Sequence, residues 1–583
     1  MALSRRQLLG GGGLATLAGA LGFAGPGMAA HRGGLKWAAE ADVVVVGGGA
    51  SGLPAAIAAR EAGATVILVE AEHHLGGHGI CSGGNLPLGG GTPLQKKYGI
   101  VDSPDLVFRD LTDWSVVEPN GAADYRFNDR EIIRAFADHS VATFNFLHAH
   151  GVKFVDKPPD NFGGESVGNS APREAHCAVM DWPMVQTGKP APAPLRATLS
   201  SGNGLMHPLS VATAQAGVRI LLGHKMTALH REGHAGKVLG LTVDHGEEQL
   251  HLRARKAVIL TTGGSSGNVN FRRMFDPRLT EEYCGIAGMP WSNQDASGEL
   301  AAMAVGASLW GLANQTGEFG SNITKPGAVG CQYGYVHLRW YPGSEVFSRA
   351  RAIGLQVRDW QDLILVNMLG RRFYDETGPQ FTANAYDKID PYTSYSYLNA
   401  KNIRWRPNNF IDAALAGVGD GHNGGGPIWA IFDADAVRRE HWDPRPPHVD
   451  PEGFFFSANS LEELAGKIVM RYQRIVMPAQ NLIETVTRYN SFVDRGTDLD
   501  FGKPAPRYKI ATPPFYAAWA TPVIHDTRAG LRINRHCQVI DMSGQVIAGL
   551  YSAGETAGGF SLHGLARATC QGYIAGRHAG AQS

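Results

Sequence analysis

Val43-Val44-Val45-Val46 runs straight into Gly47-x-Gly49-x-x-Gly52, and a second apolar run ends 18 residues after Gly52 on Glu70. Glycines at this spacing offer backbone N–H groups where other residues would offer side chains. Gly47 permits a tight turn, Gly49 leaves room for a pyrophosphate beside the backbone, and Gly52 lets a helix pack closely on its strand. Around Ser51 the first turn of that helix adds N–H donors and a positive dipole end for phosphate. Glu70 is placed to accept hydrogen bonds from a ribose hydroxyl. The chemistry indicated is the holding of a dinucleotide.

The elements that must position these residues stand beside them. Val43 to Val46 has the unbroken β-branched character of a strand buried on both faces of a parallel sheet. Leu53 to Ala62 is alanine-rich and predicts a helix, Gly63 stops it, and Thr65 to Val69 predicts the next strand. Further on, residues 205–223 read as a helix running into a strand. "GKVLGLTV" and "QLHLRA" read as hairpin strands, and Lys256 to Thr262 as another buried strand ending in glycines. A helix opens in "SNQDASGELAAMAVGA", with Asp295 or Ser297 near its N-cap. From about residue 320 to 480 the texture changes to scattered Trp, Tyr and Pro. This predicts a mixed α and β domain inserted into the first, which resumes at "PPFYAAWATPVIHDTRAGLRI" and closes with a helix near "QGYIAGRHAG". A ligand between two such domains would be enclosed when they close.

With 53 Lys plus Arg against 53 Asp plus Glu in 583 residues, no nucleic-acid surface is indicated. Ser4-Arg5-Arg6-Gln7-Leu8-Leu9, a weakly apolar run to Ala24 and the small residues up to Ala30 describe a twin-arginine export signal over residues 1–30. The expected location is periplasmic or otherwise exported. That run is too short and glycine-rich to predict a membrane span. Six scattered cysteines form no C-x-x-C or haem-attachment motif, and no histidine pair at i and i+4 comes with a third ligand, so no metal site is expected.

Several further segments stand in order along residues 41–583. They are Gly76-Gly77-x-x-x-x-Ser82-Gly83-Gly84; "VILTTGGSSGN"; Val366-Asn367-x-x-Gly370-x-Arg372-Phe373-x-x-Glu376; "PIWAIFD"; "TVTRYNSFVDRGTDLDFGK"; and "GLYSAGETAGG". Together they resemble the flavoprotein family of fumarate reductases, succinate dehydrogenase flavoprotein subunits and 3-ketosteroid dehydrogenases. "SGGNLPLGGGTPLQKKYGIVDSP" looks most like the ketosteroid dehydrogenase branch. The resemblance implies an α/β fold with a Rossmann-like FAD-binding domain and an inserted α+β substrate-capping domain. The FAD-binding domain would occupy residues 41–320 and 481–583, and the cap residues 321–480. It also implies FAD as the cofactor and hydride exchange between the flavin and a C–C bond next to a carbonyl or carboxylate of a small molecule.

Carried over residue by residue, the resemblance adds Gly77, His78, Ser82, Gly83, Gly84, Thr262, Gly263, Asp295, Gly554 and Glu555 to the FAD site. His525 falls where a substrate-binding histidine would sit, or is satisfied at a strand end. Arg567 is a possible echo of a carboxylate-binding arginine, or belongs to the last helix as a structural residue. Where fumarate reductases carry a proton-delivering arginine, four residues after the acid of the "RFxNE" segment, this chain has Gln380. The ketosteroid branch uses tyrosines, for which Tyr386, Tyr392, Tyr395 and Tyr397 are nearby candidates, with Tyr386 and Tyr395 taken as catalytic. His78 lies near the position of a covalent flavin link, one residue out of register, so non-covalent FAD is expected. With no haem motif in the chain, electrons would pass to a separate carrier or to oxygen. An oxidase of a C–N or C–O bond would share the fingerprint without the capping motifs. A non-catalytic flavin-binding protein would keep the fold without turnover.

Overall fold

Val43 to Val46 lie fully inside the protein, in the middle of the strand Ala39–Val46. On one side this strand pairs in parallel with Val66–Glu70, and on the other with Glu248–Leu260. The computed structural model describes residues 35–112, 128–160, 170–182, 199–275, 279–282, 284–285, 293–311, 321–334, 342, 347–377, 427–560 and 564–583. Two units separate, 1–36 and 37–583, and the fold below is that of the second.

The main sheet runs in the order Gln538–Ile540, Val546–Ser552, Glu248–Leu260, Ala39–Val46, Val66–Glu70, Arg219–Leu222. Its four central strands and Arg219–Leu222 are parallel, as expected for a doubly wound α/β sheet. Glu248–Leu260 is longer than its sequence suggests. The hairpin strand and the buried strand read from "QLHLRA" and "KAVIL" are one continuous strand. Its first half pairs antiparallel with Val238–His245, and its second half enters the parallel sheet. No glycine or proline interrupts residues 248–260, so nothing local ends the first half.

Over this sheet lie two helices in direct backbone contact, Gly52–Glu61 and Leu565–Ala581. Gly572, Gly576 and Gly580 recur every fourth residue on the second helix. Added Cβ atoms there would fall 2.1 Å from Ser51 O, 2.2 Å from Ala55 O and 2.8 Å from the Ala62 Cβ. The stripe therefore brings the last helix of the chain onto the first.

A second sheet is antiparallel, in the order Ile364–Val366, Trp429–Asp433, Phe515–Trp519, Phe455–Ala458. Its last strand in sequence lies beyond residue 480, where the capping segment was read to end. Apolar cores cover both of its faces, and Trp429 and Trp519 pack edge to face at 5.6 Å. From it the chain passes into Val523–Thr527, which pairs antiparallel with Ser321–Thr324 and parallel with Cys284–Gly285.

The segment after Ile364–Val366 is fastened by buried charges. Arg372 makes two bonds of 2.9 Å to Glu376 and one of 3.0 Å to Asp498, while Lys503 Nζ lies 3.3 Å from Glu376. Burial alone would raise the Glu376 pKa, but Arg372 and Lys503 overcome it and hold the group down at about 2. Below its ordinary value of 4.5 the unfolded carboxylate takes up a proton that the folded one refuses. Its stabilisation is therefore complete above that pH and fades as pH falls towards 2. Glu376→Gln leaves two buried cations short of a partner and should cost about 3–5 kcal/mol at neutral pH. The gap from wild type should narrow in acid. Urea unfolding at two pH values measures both effects, and equal midpoints at neutral pH would refute this account of the cluster.

Candidate active site

The parallel strands end level with one another, and the glycine-rich corner forms where they stop. Gly47 N–H donates to Val69 O at 2.8 Å, Thr261 N–H to Val46 O at 2.9 Å and Ala553 N–H to Leu260 O at 3.0 Å. Gly47 has φ +101°, and a Cβ on it would lie 2.3 Å from Thr261 O. Gly52 is tighter still, its Cβ position being 1.8 Å from Gly47 O. Gly49 is the exception. A Cβ there would meet only Gly76 O, at 4.0 Å. The corner is thus closed against itself at Gly47 and Gly52 and open at Gly49, the arrangement a pyrophosphate requires.

Both carboxylate oxygens of Glu70 are held by backbone, from Gly48 N–H at 2.7 Å and Glu72 N–H at 2.9 Å. Burial nevertheless raises its pKa. Gly77 starts the short helix Gly77–Cys81, which carries His78, and a Cβ on it would lie 3.5 Å from Gly49 Cα. The His78 Nδ1 lies 3.4 Å from Gln294 Nε2 and 3.8 Å from Glu555 Oε1, and Gln294 Nε2 donates to Glu555 Oε2. Ser82 Oγ accepts from Gly84 N–H at 3.3 Å and donates to Gly79 O at 2.7 Å, which shapes the turn through Gly83. On the neighbouring strand end, Thr262 faces Thr556, whose hydroxyl donates to Gly263 O at 2.9 Å. Gly554 N–H donates to Gln571 Oε1 at 2.9 Å. The structure therefore gathers the glycines, Glu70, His78, Thr262, Gly263, Gly554 and Glu555 along one edge of the sheet.

Asp295 sits beside this edge, and Asp295 and Ser297 flank the N-cap of the helix as the sequence predicts. The helix Ser297–Ala304 is capped by Ala296, with left-handed backbone, and Asp295 accepts from Ser297 N–H at 3.0 Å while pairing with Lys225 at 2.6 Å. One turn into that helix lies Glu299, which sequence reasoning missed. Its side chain is completely buried, and neither carboxylate oxygen has a hydrogen-bond partner among the described residues. Burial pushes its pKa well above the carboxylate range, with the Asp295 and Glu555 charges adding to the rise. A lone acid in a helix of small apolar residues was the available signal. An orphaned buried carboxyl and a glycine corner open at Gly49, beside the N-terminus of the helix Gly52–Glu61, fit the hydroxyls and phosphates of FAD.

The four residues expected to act on substrate fare differently. Arg567 is buried in the last helix, with Nη1 donating to Phe560 O at 2.6 Å and Nη2 to Gly554 O at 2.9 Å and Ala557 O at 3.0 Å. It ties down the loop that carries Glu555. His525 belongs to the strand Val523–Thr527. Two residues on, Thr527 lies so near Gly264 that a Cβ on the glycine would meet its hydroxyl at 1.6 Å. That contact brings the strand to the flavin side. Tyr386 and Tyr395, like Tyr392, Tyr397 and Gln380, fall outside the described residues. Away from this edge, Asp160, Glu174 and His176 do bring metal-type ligand atoms within 4.8 Å of one another, although Asp160 is already paired with Lys157 at 3.0 Å and with His176.

Gly49→Ala has space in the fold, so it should leave unfolding unchanged while weakening flavin retention at least about tenfold, or 1.4 kcal/mol. Gly52→Ala should damage both. Visible flavin absorbance per protein and a thermal melt of the flavin-free form separate the two effects. A Gly49→Ala protein as yellow as wild type would refute the placement of the pyrophosphate.

Comparison with known proteins identifies the family. Residues 42–570 match the family model described as FAD binding domain. The chain is 28% identical to the fumarate reductase (cytochrome) of Shewanella frigidimarina, over 90% of this chain and 73% of that protein. It is 25% identical to the 3-oxosteroid 1-dehydrogenase of Mycobacterium tuberculosis, over 88% and 92% respectively. In fold it is similar to the crystal structure of 3-ketosteroid delta1-dehydrogenase from Sterolibacterium denitrificans, with a TM-score of 0.61 and 20% identity over 93% of this chain and 99% of that one. Among the described residues no helix is long and apolar enough to cross a membrane. With a glycine corner built for a pyrophosphate and a family model spanning nearly the whole chain, the protein belongs to the FAD binding domain family and is a FAD-dependent oxidoreductase.

Proposed function

We propose that this enzyme exchanges hydride with a C–C bond next to the carbonyl of a small ketone, by desaturation or by the reverse enone reduction. The names of its relatives cover both a dicarboxylate reductase and steroid ketone dehydrogenases. One observation favours the ketone. Three N–H groups of Arg567, the arginine that a carboxylate substrate would need, are engaged with backbone carbonyls. Bound FAD would accept or supply the hydride. The protein would have to orient the substrate, stabilise charge on the carbonyl oxygen as the α-carbon gains or loses its proton, and keep water out. His525, from the strand that reaches Gly264 through Thr527, is the donor we assign to that oxygen. Tyr386 or Tyr395 is the proton-exchanging group read from the sequence.

The remaining assignments follow from the same residues. The His78 ring is already held between Gln294 and Glu555, which supports non-covalent FAD. The twin arginines Arg5 and Arg6 support export to the periplasm, and the missing haem motif supports a separate electron carrier or oxygen. Acid precipitation should leave the yellow flavin in the supernatant, and flavin that stays with the pellet would instead establish a covalent link. Anaerobic addition of saturated cyclic ketones should bleach the oxidised flavin, and the matching enones should reoxidise the reduced form. A response to carboxylic acids alone would reverse the ketone assignment, and silence to every pair would overturn the C–C reading.

A further inference from the structure

Gln294 joins groups that lie far apart in the chain, and both ends of its amide are used. Nε2 donates to Glu555 Oε2 and, at 3.4 Å, to His78 Nδ1, while Oε1 accepts from Ser266 Oγ at 3.0 Å. A carboxylate only accepts, so the amide must turn its nitrogen towards Glu555. The second N–H on that nitrogen is then available to His78. Gln294 itself is 3% exposed, whereas the His78 and Glu555 side chains keep 21% and 15% of their surface open. Gln294 can therefore reach a bound cofactor only through those two side chains.

Its backbone shows that the position is imposed. Gln294 has φ +39° and Ala296 φ +61°, a left-handed conformation that ordinary side chains avoid. Gln294 O accepts from Gly267 N–H at 3.0 Å, and Asp295 O from Asn268 Nδ2 at 3.0 Å. Strain of this kind persists where the surroundings over-determine it, and it gathers at binding sites. The next strand end makes room for the side chain. A Cβ on Gly263 would lie 3.2 Å from Gln294 Cγ, and one on Gly264 would lie 3.2 Å from Glu555 Oε2.

We propose that Gln294 is the positioning residue of the cofactor edge. It holds His78 as the neutral tautomer protonated on Nε2 and fixes the Glu555 carboxylate beside it, so that both side chains meet FAD already oriented. With Nδ1 accepting from Gln294, the lone pair of that nitrogen is occupied, and Nε2 carries the ring proton. His78 is left with one N–H to offer the cofactor and with no nitrogen lone pair to bond it covalently. The inference rests on FAD binding and is independent of the substrate and of the direction of reaction.

The test uses the flavin-loaded enzyme. In nitrogen NMR of histidine-labelled protein, the His78 signals are recognised by their loss in His78→Gln. In wild type at neutral pH they should show Nε2 protonated and Nδ1 unprotonated. Gln294→Glu keeps the size of the side chain but offers His78 an oxygen in place of an N–H, and should move the proton to Nδ1. Gln294→Gly accepts the positive φ without strain and removes the amide. It should weaken FAD binding about ten- to a hundredfold, while its flavin-free form melts no lower than that of wild type. A wild-type His78 protonated on Nδ1, which needs no variant to observe, would overturn the inference. So would an unchanged tautomer in Gln294→Glu, or a Gln294→Gly enzyme that keeps FAD as tightly as wild type. A Gln294→Gly protein that loses stability together with FAD would overturn it too, because the amide would then serve the fold. None of these readouts uses turnover, so they stand or fall separately from the C–C reading.

Discussion

Val46, Val69, Leu260 and Ser552 occupy neighbouring strands at the same height, because the parallel register pairs Val46 with Val69 and Leu260, and Leu260 with Ser552. The residue that follows each of them therefore emerges on one edge: Gly47, Glu70, Thr261 and Ala553. Every contact of the cofactor site depends on that level ending. A slip of one residue in any strand would exchange its two faces and would move the glycine corner away from the Thr261 carbonyl that it touches. The valines and leucines that fix the register are thus as necessary to the site as the residues that line it.

The same edge is braced from behind. The glycine stripe on the last helix lets it lie on the backbone of Ser51, Ala55 and Ala59, so the C-terminal segment supports the very turn that would receive the phosphate. Arg567 then reaches from that helix to three carbonyls of the loop carrying Gly554 and Glu555. An arginine whose buried N–H groups are met by carbonyls is a rigid clamp, because breaking any one bond leaves a buried polar group without a partner. Chain ends more than 500 residues apart therefore position one cofactor.

Much of this was legible because it is local. The Gly47 to Glu70 unit, its helix and its strands follow from periodicity and glycine spacing within about 30 residues. Features formed by distant segments were harder to read. The sequence offers no stop between Ala254 and Lys256, yet only the neighbouring strands reveal that one strand serves both a hairpin and the parallel sheet. Asp295 is well placed for a cap, and its carboxylate does bind Ser297 N–H, but the left-handed Ala296 takes the cap position itself. Glu299 and Lys325 look like ordinary charges in sequence. Their character comes from burial, which is set by residues far away in the chain.

Burial also sets which of the titratable groups keep their charge. It raises the pKa of Glu70 and Glu299 and lowers that of Lys325, in each case favouring the uncharged form. Glu376 goes the other way only because Arg372 and Lys503 stand against it. The described residues thus include two kinds of buried ionisable group. Arg372 and Glu376 are held in their charged forms and fasten the segment after Ile364–Val366. Lys325 touches that cluster through the Glu376 carbonyl, yet is poorly enough solvated to gain or lose a proton near neutrality.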